Sequence, residues 1–219
     1  MTRTIVALYD DFDTAEDVVE ELVDAGFSRD NMSIVANDAT GEYGQTYVTD
    51  ADYDDDVSAG EGAGFGAIVG TLVGLGVALI PGVGPVLAAG PLAAALMAGI
   101  GAAAGAATGG IVAGLVDFGI PEDEAHVYAE GVRRGGTLVS VTVDESYVNR
   151  AEEIMNRYSP IDIDRRATAW RETGWSKFSH ESEPYNSDLI DRERTNYSGS
   201  TTKTGTSETS RGVRVYDTE

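Results

Sequence analysis

GAGFGAIVGTLVGLGVALIPGVGPVLAAGPLAAALMAGIGAAAGAATGGIVAGLV, residues 62–116, contains no Asp, Glu, Lys, Arg or His. The 219-residue chain carries 15 Lys and Arg against 37 Asp and Glu, a net charge of −22, so every charge lies outside that stretch. Ile80-Pro81-Gly82-Val83-Gly84-Pro85 divides the stretch into two apolar halves. The first half places Gly62, Gly66, Gly70 and Gly74 at four-residue intervals; the second repeats this with Gly101, Gly105 and Gly109, extended by Gly110 and Gly114. On a helix this spacing aligns small residues along one face, so that two helices approach until their backbones nearly touch. Glycine in a helix costs up to ~1 kcal/mol relative to alanine, a loss that close packing must offset. The pattern predicts a glycine-zipper helical hairpin over residues 58–116, with Pro81, Gly82, Gly84 and Pro85 as its turn.

Two destinations are open to such a hairpin. A helix from Ser58 to Leu79 is ~33 Å long, enough for a hydrocarbon core of ~30 Å. The flanks, however, carry Asp54, Asp55, Asp56, Glu61 and Asp117 and lack the Lys/Arg collar of a cytoplasmic membrane boundary. The other destination is a homo-oligomer in which copies of the hairpin cover one another. The expected partners are therefore a second copy of the chain and membrane lipid.

Working outward, Thr4 to Tyr9 reads as a buried strand. Asp13 and Glu16 suit a capping box, and Ala15, Val18, Val19, Leu22 and Val23 form one apolar helix face that Gly26 ends. Met32 to Ala36 gives a second strand. Beyond the hairpin, Pro121 sits at a first helical position, Glu122, Asp123 and Glu124 fill the first turn, and Arg133 and Arg134 the last, before Gly135. Thr137 to Val143 alternates as a half-buried strand. Tyr147, Val148, Ala151, Ile154, Met155 and Tyr158 form another helical stripe, and Ile161 and Ile163 a last strand. Strand–helix–strand twice over predicts an α+β fold, a ferredoxin-like split βαβ domain with the hairpin inserted. The segments are 1–57 and 117–168 for the two halves of that domain, 58–116 for the hairpin, and 169–219 for a tail. Ser/Thr/Gly-rich around Ser198 to Ser210, the tail is expected to be mostly disordered, with Trp170, Trp175 and Phe178 anchoring its start.

The strings TIVALYDDFDTAEDVVEELVDAGF, IPGVGPVLAAGPLAA and GIPEDEAHVYAEGVRRGGTLVSV resemble the general stress protein 17M-like (YflT-type, heat-induced stress protein) domain family over about residues 4–168. RETGWSKF and Pro184-Tyr185 are similar to tails on some members. The resemblance implies a stress-associated role and supplies no reaction, cofactor or catalytic residue.

Composition excludes much else. A polyanion repels phosphate backbones, so no nucleic-acid partner is expected. Absence of cysteine removes disulfides, thiol nucleophiles and iron–sulfur ligation. Lys177 and Lys203 are the only lysines, and such acidity suits a high-salt, halophilic proteome in which screening offsets self-repulsion. Asp50, Asp52, Asp54 and Glu61 fall at calcium-loop positions, but Asp55 stands where the sharp turn needs glycine, so an acidic solvated linker is the better reading. His126 and His180 have no spaced partner for a metal site. Ser33, Ser140 and Ser146 lack a nucleophile-elbow context, and Gly62-Ala63-Gly64-Phe65-Gly66 lacks the lysine of a phosphate loop. The start MTRTIVALYDDF enters a strand directly, as expected of a mature cytoplasmic chain. These observations predict a non-enzymatic protein without cofactor, its hairpin inserted in or docked on the cytoplasmic face of the membrane and self-associating. The alternative is a soluble oligomeric ligand-binding or regulatory module of the ferredoxin-like type.

Overall fold

The computed structural model describes residues 1–41, 72, 76–101, 110–198 and 212–217. Its elements are β1 (Thr2–Tyr9), α1 (Phe12–Asp24), β2 (Met32–Asn37), β3 (Gly76–Ile80), β4 (Gly84–Ala89), α2 (Pro91–Gly101), α3 (Gly110–Asp117), α4 (Glu122–Arg133), β5 (Thr137–Asp144), α5 (Val148–Arg157), α6 (Ile163–Glu172), α7 (Ser187–Ser198) and β6 (Val213–Asp217). The strands form one sheet in the order β3-β4-β2-β5-β1-β6, every neighbouring pair antiparallel. β5 lies at the centre: it pairs with β1 from Thr2↔Asp144 to Tyr9↔Thr137 and with β2 from Met32↔Val141 to Ala36↔Thr137.

Alternation along the strands divides the core between the two faces of the sheet. Ile5, Ala7, Ile34, Val139 and Val141 meet Val18, Val19 and Leu22 of α1 and Ile154 and Met155 of α5. Val6, Leu8, Val35, Val86 and Leu138 meet Leu92 and Leu96 of α2, Ile111 and Leu115 of α3, Tyr128 and Val132 of α4, and Ile163 and Trp170 of α6. The result is three layers, with helices on both faces.

That arrangement corrects the helical hairpin over residues 76–90, while 58–71, 73–75 and 102–109 lie outside the described residues. Residues 76–80 and 84–89 are strands, Pro81, Gly82 and Val83 make the turn between them, and Gly84 and Pro85 already belong to β4. Gly82 and Gly84 have φ of +79° and +104°. The apolar run cannot distinguish a buried strand from a buried helix by periodicity, and the Pro-Gly turn decides for the hairpin of strands. Gly90, at φ +87°, then swings the chain from β4 into α2 hard against the backbone of Met32. The Leu92 N–H donates to Ser33 Oγ at 2.9 Å, fixing the start of that helix to β2.

The glycine row does serve close helix approach at one described place. A Cβ at Gly114 would lie 2.7 Å from Leu96 Cδ2 and 3.2 Å from Leu96 Cα, so α3 packs on α2 at near-backbone distance within one chain. Each fully buried aliphatic of this segment contributes about 1.5–3 kcal/mol. Among the described residues no helix is long and apolar enough to cross a membrane.

The flanking elements follow their signals closely, with shifts at the ends. Asp11 rather than Asp13 caps α1, accepting from Thr14 N at 2.8 Å, which lets Phe12 enter the core as the first helical residue. Gly26 at φ +91° closes that helix with the Phe27 N–H on Leu22 O. Pro121 is the N-cap of α4 rather than its first residue. Ile161 and Ile163 are not a strand. Asp162 accepts from Arg165 N and starts α6, while the Ile161 N–H donates to Leu8 O at 2.8 Å. The place beside β1 is taken instead by Val213–Asp217, from the far end of the tail.

Over its described residues, which exclude the Ser/Thr/Gly-rich run at 199–211, the tail therefore differs from the expected disorder. It contains the end of α6, a strap over residues 174–186, α7 and β6. The anchors Trp170 and Phe178 are buried, and Trp175 packs edge-on against Trp170 at 5.7 Å between centroids. The strap crosses the β3–β4 turn: a Cβ at Gly82 would fall 2.6 Å from Ser179 O, and one at Gly84 would fall 3.1 Å from Pro184 Cβ.

Three tyrosines fasten the layers and make stability pH-dependent. The Tyr9 hydroxyl donates to Met155 O at 2.9 Å; Tyr128 and Tyr216 share a hydrogen bond of 3.2 Å, and Tyr216 donates to Glu124. Burial raises all three hydroxyls well above the ordinary tyrosine value. In the unfolded chain they ionise near pH ~10, so their contribution is complete below that pH and lost as pH rises through the folded values. Ultraviolet titration is expected to show these tyrosinates forming only together with alkaline unfolding. Full titration near pH ~10 with the fold intact would contradict the burial.

Candidate functional site: an arginine cradle under the tail

Glu130 is the deepest carboxylate of the described residues, 1% exposed, in the last turn of α4. Helical spacing brings Arg133 and Arg134 to it at i+3 and i+4. Arg133 donates to it through Nε at 2.9 Å and NH2 at 2.6 Å, and Arg134 through Nε at 2.6 Å. Both arginines also lie at the negative end of the helix dipole. Burial opposes the charge of Arg134, but its bond to Glu130 and the nearby Glu193 outweigh this and hold its proton more tightly than usual.

Aromatic rings fix the guanidinium further. Arg134 lies 4.8 Å from the Trp170 ring centroid and 5.4 Å from that of Tyr185, while Arg133 lies 4.7 Å from Tyr185. Arg133 NH1 also donates to Glu183 O of the strap at 3.0 Å. With Nε committed to Glu130, the NH1 of Arg134 points outward. It donates to Glu193 Oε1 at 3.0 Å, and Trp170 Nε1 donates to the same oxygen at 2.7 Å.

Around this centre α7 makes its other contacts. Arg194 donates to Asp10 O at 3.0 Å and to Gly135 O at 3.2 Å. Arg166 donates to Asp10 Oδ1 at 2.9 Å and stacks 3.8 Å over Tyr197. Ile190 is buried against Gly135, where a Cβ would fall 2.3 Å from its Cγ2. Between the layers remains a cavity of about 10 Å³ lined by Leu8, Asp10, Arg134, Arg166, Trp170 and Glu193, room for about one water. Chemically the cradle recognises a carboxylate; the groups present hold charge and donate hydrogen bonds, and none is arranged to attack a substrate.

The residues singled out in the sequence fall elsewhere. Gly62, Gly66, Gly70, Gly74, Gly105 and Gly109 lie outside the described residues, as do Asp50, Asp52, Asp54 and Glu61. Gly101 is the last residue of α2. Pro81, Gly82, Gly84 and Pro85 lie under the strap. His126 sits 3.9 Å from Glu122, and its Nδ1 is buried without a hydrogen bond. Among the described residues no three His, Cys, Asp or Glu side chains gather as metal ligands. Sequence reasoning missed Glu130 and Glu193. The signal for the second was present: Ile190, Glu193, Arg194 and Tyr197 recur at i, i+3, i+4 and i+7.

The family comparison falls on the opening β1–α1–β2 unit and most of β3. Residues 4–79 match the Heat induced stress protein YflT domain. The YflT match covers Leu8 and Asp10 of the cradle and stops before α4, so Glu130, Arg134, Trp170 and Glu193 lie beyond it. Neither the curated proteins nor the solved structures offer a match to the chain.

Proposed function

We propose that this chain is a non-enzymatic, stress-associated protein that acts by binding, and that residues 76–96 and 110–116 of its uncharged segment are an inner layer of its own fold rather than part of a membrane hairpin. The stress association rests on the YflT match over residues 4–79. The second part rests on one observation: Val83, Val86, Leu87, Leu92, Ile111 and Leu115 of that segment are all at 0% exposure. Transfer of Leu92, Ile111 and Leu115 to lipid would strip one face of the sheet of its cover, at about 1.5–3 kcal/mol for each large aliphatic left uncovered.

The underlying domain is ferredoxin-like in this reading. In support, β1, β2, β5 and β6 taken as strands one to four lie in the order two-three-one-four, all antiparallel, with α1 and α5 on one face. The β3–β4 hairpin widens that sheet beyond β2, and α2, α3, α4 and α6 close its other face. The function is then that of a binding or regulatory module.

Flotation of the full chain with anionic and with neutral vesicles at physiological salt tests this. The protein is expected to stay in the dense fraction with both. Recovery with the vesicles would restore the membrane reading and overturn this one.

A further inference from the structure

We propose that the Arg134–Trp170 cradle is a docking site for a helix that presents an aliphatic residue and, three positions later, a glutamate, and that α7 fills this site in cis. The inference gives a partner class to the binding role proposed above and rests on that role for its biological sense, but its geometry stands apart from it.

The cradle does not depend on its occupant for shape. Glu130, buried in α4, holds Arg133 and the Nε of Arg134, and Trp170 and Tyr185 flank the Arg134 guanidinium. Lifting Glu193 away would leave Arg134 NH1 and Trp170 Nε1 still converging on one point. Two aimed donors with fixed side chains are a preorganised carboxylate site, which lowers the ordering cost of binding. Beside it, Gly135 leaves a bare patch of backbone that Ile190 covers. The site thus reads two features of a helix at i and i+3.

α7 is held weakly enough to be exchanged. Of its large apolar side chains Ile190 is buried, Leu189 is 39% exposed, and Tyr197 is partly covered under Arg166. The other ties are hydrogen bonds and ion pairs, part-buried at Glu193 and exposed at Arg194–Asp10, and a competing acidic helix can replace them one for one. Charge adds selectivity: in a chain of net −22, an anionic helix is repelled almost everywhere and finds Arg133, Arg134 and Arg166 gathered here.

The test opens the site in the full chain with Ile190→Ser and Glu193→Ala together. A synthetic peptide of residues 186–198, which contains no tryptophan, is then titrated while the emission of Trp170 and Trp175 is followed. Saturable binding is expected, at least tenfold tighter than to the wild-type chain, where α7 competes. Replacing the peptide's glutamate by glutamine, or adding Arg134→Ala to the protein, is expected to weaken it at least tenfold. No saturable change with a cooperatively unfolding double variant would overturn the proposal, as would equal binding of the glutamine peptide. Trypsin cleavage after Arg192 in the wild-type chain decides the matter even where the variant does not fold. Cutting much faster than global unfolding is expected, and cutting only at the global rate would rule out an exchangeable α7. Flotation of the protein with vesicles would sink the binding-module role while leaving this titration to stand or fall by itself.

Discussion

Gly90→Ala is expected to destabilise the protein by about 4 kcal/mol or more, or to prevent folding altogether. The added Cβ would stand 1.9 Å from Met32 O and 2.8 Å from Met32 C, both backbone atoms of a strand paired on either side. No rotamer change relieves such a collision. At φ +87° the alanine is also strained in its own backbone. Gly26→Ala separates the two effects, since Gly26 has φ +91° and nothing within 4 Å of the added Cβ. That control is expected to lose only about 1–2 kcal/mol, the left-handed penalty alone. Urea unfolding of both variants checks the pair. Similar losses would mean that the uncharged segment does not lie against β2 as described.

Glu130→Ala is the second large effect, expected to cost about 3–5 kcal/mol, because it leaves two largely buried guanidinium groups without their shared counter-charge. The Arg133 and Arg134 side chains are each 11% exposed, so water cannot take the place of the carboxylate without opening the site. Arg134→Ala removes one of those charges, and the double variant is expected to be much less than additive. The Trp170 and Trp175 emission should shift in Glu130→Ala even under native conditions, since Arg134 loses its anchor beside the indole. Additive losses in the double variant would show that Glu130 and Arg134 do not act as one unit.

Much of the fold was legible because its signals were local. β1, α1, β2, α4, β5 and α5 each carry their own apolar run or period, reinforced in α1 and α4 by end signals, and each formed within a residue or two of the expected place. The errors share a physical cause. Between residues 76 and 96 every residue is apolar, Gly or Pro, the exposed Val77 and Leu79 included, so there is no polar side to reveal a period of two or of 3.6. Gly76, Gly82, Gly84 and Gly90 serve a strand, a turn and a close crossing, whereas six of the seven glycines spaced by four lie outside the described residues. Ile161 and Ile163 misled in the opposite direction: both are buried, but one enters the core from a loop and the other from the start of α6.

The cradle was hidden for another reason. Arg133 and Arg134 were legible as complements to a helix dipole, yet Glu193, the partner of Arg134, lies 59 residues away in a tail whose composition is dominated by polar residues. A helix of mostly exposed residues carries few apolar markers, and Val213-Arg214-Val215-Tyr216 is a short alternation after a Ser/Thr/Gly run. Only the sheet edge beside β1 gives that strand a partner. Long-range pairing of this kind leaves no mark on a local window.

Amide hydrogen exchange of the full chain, in buffer without lipid or detergent, tests the central claim most directly. The account predicts that amides of residues 85–96 and 111–117 are protected as strongly as those of β5, because both regions open only with the core. Rapid exchange in those two regions while β5 remains protected would contradict it, and would return the uncharged segment to the surface.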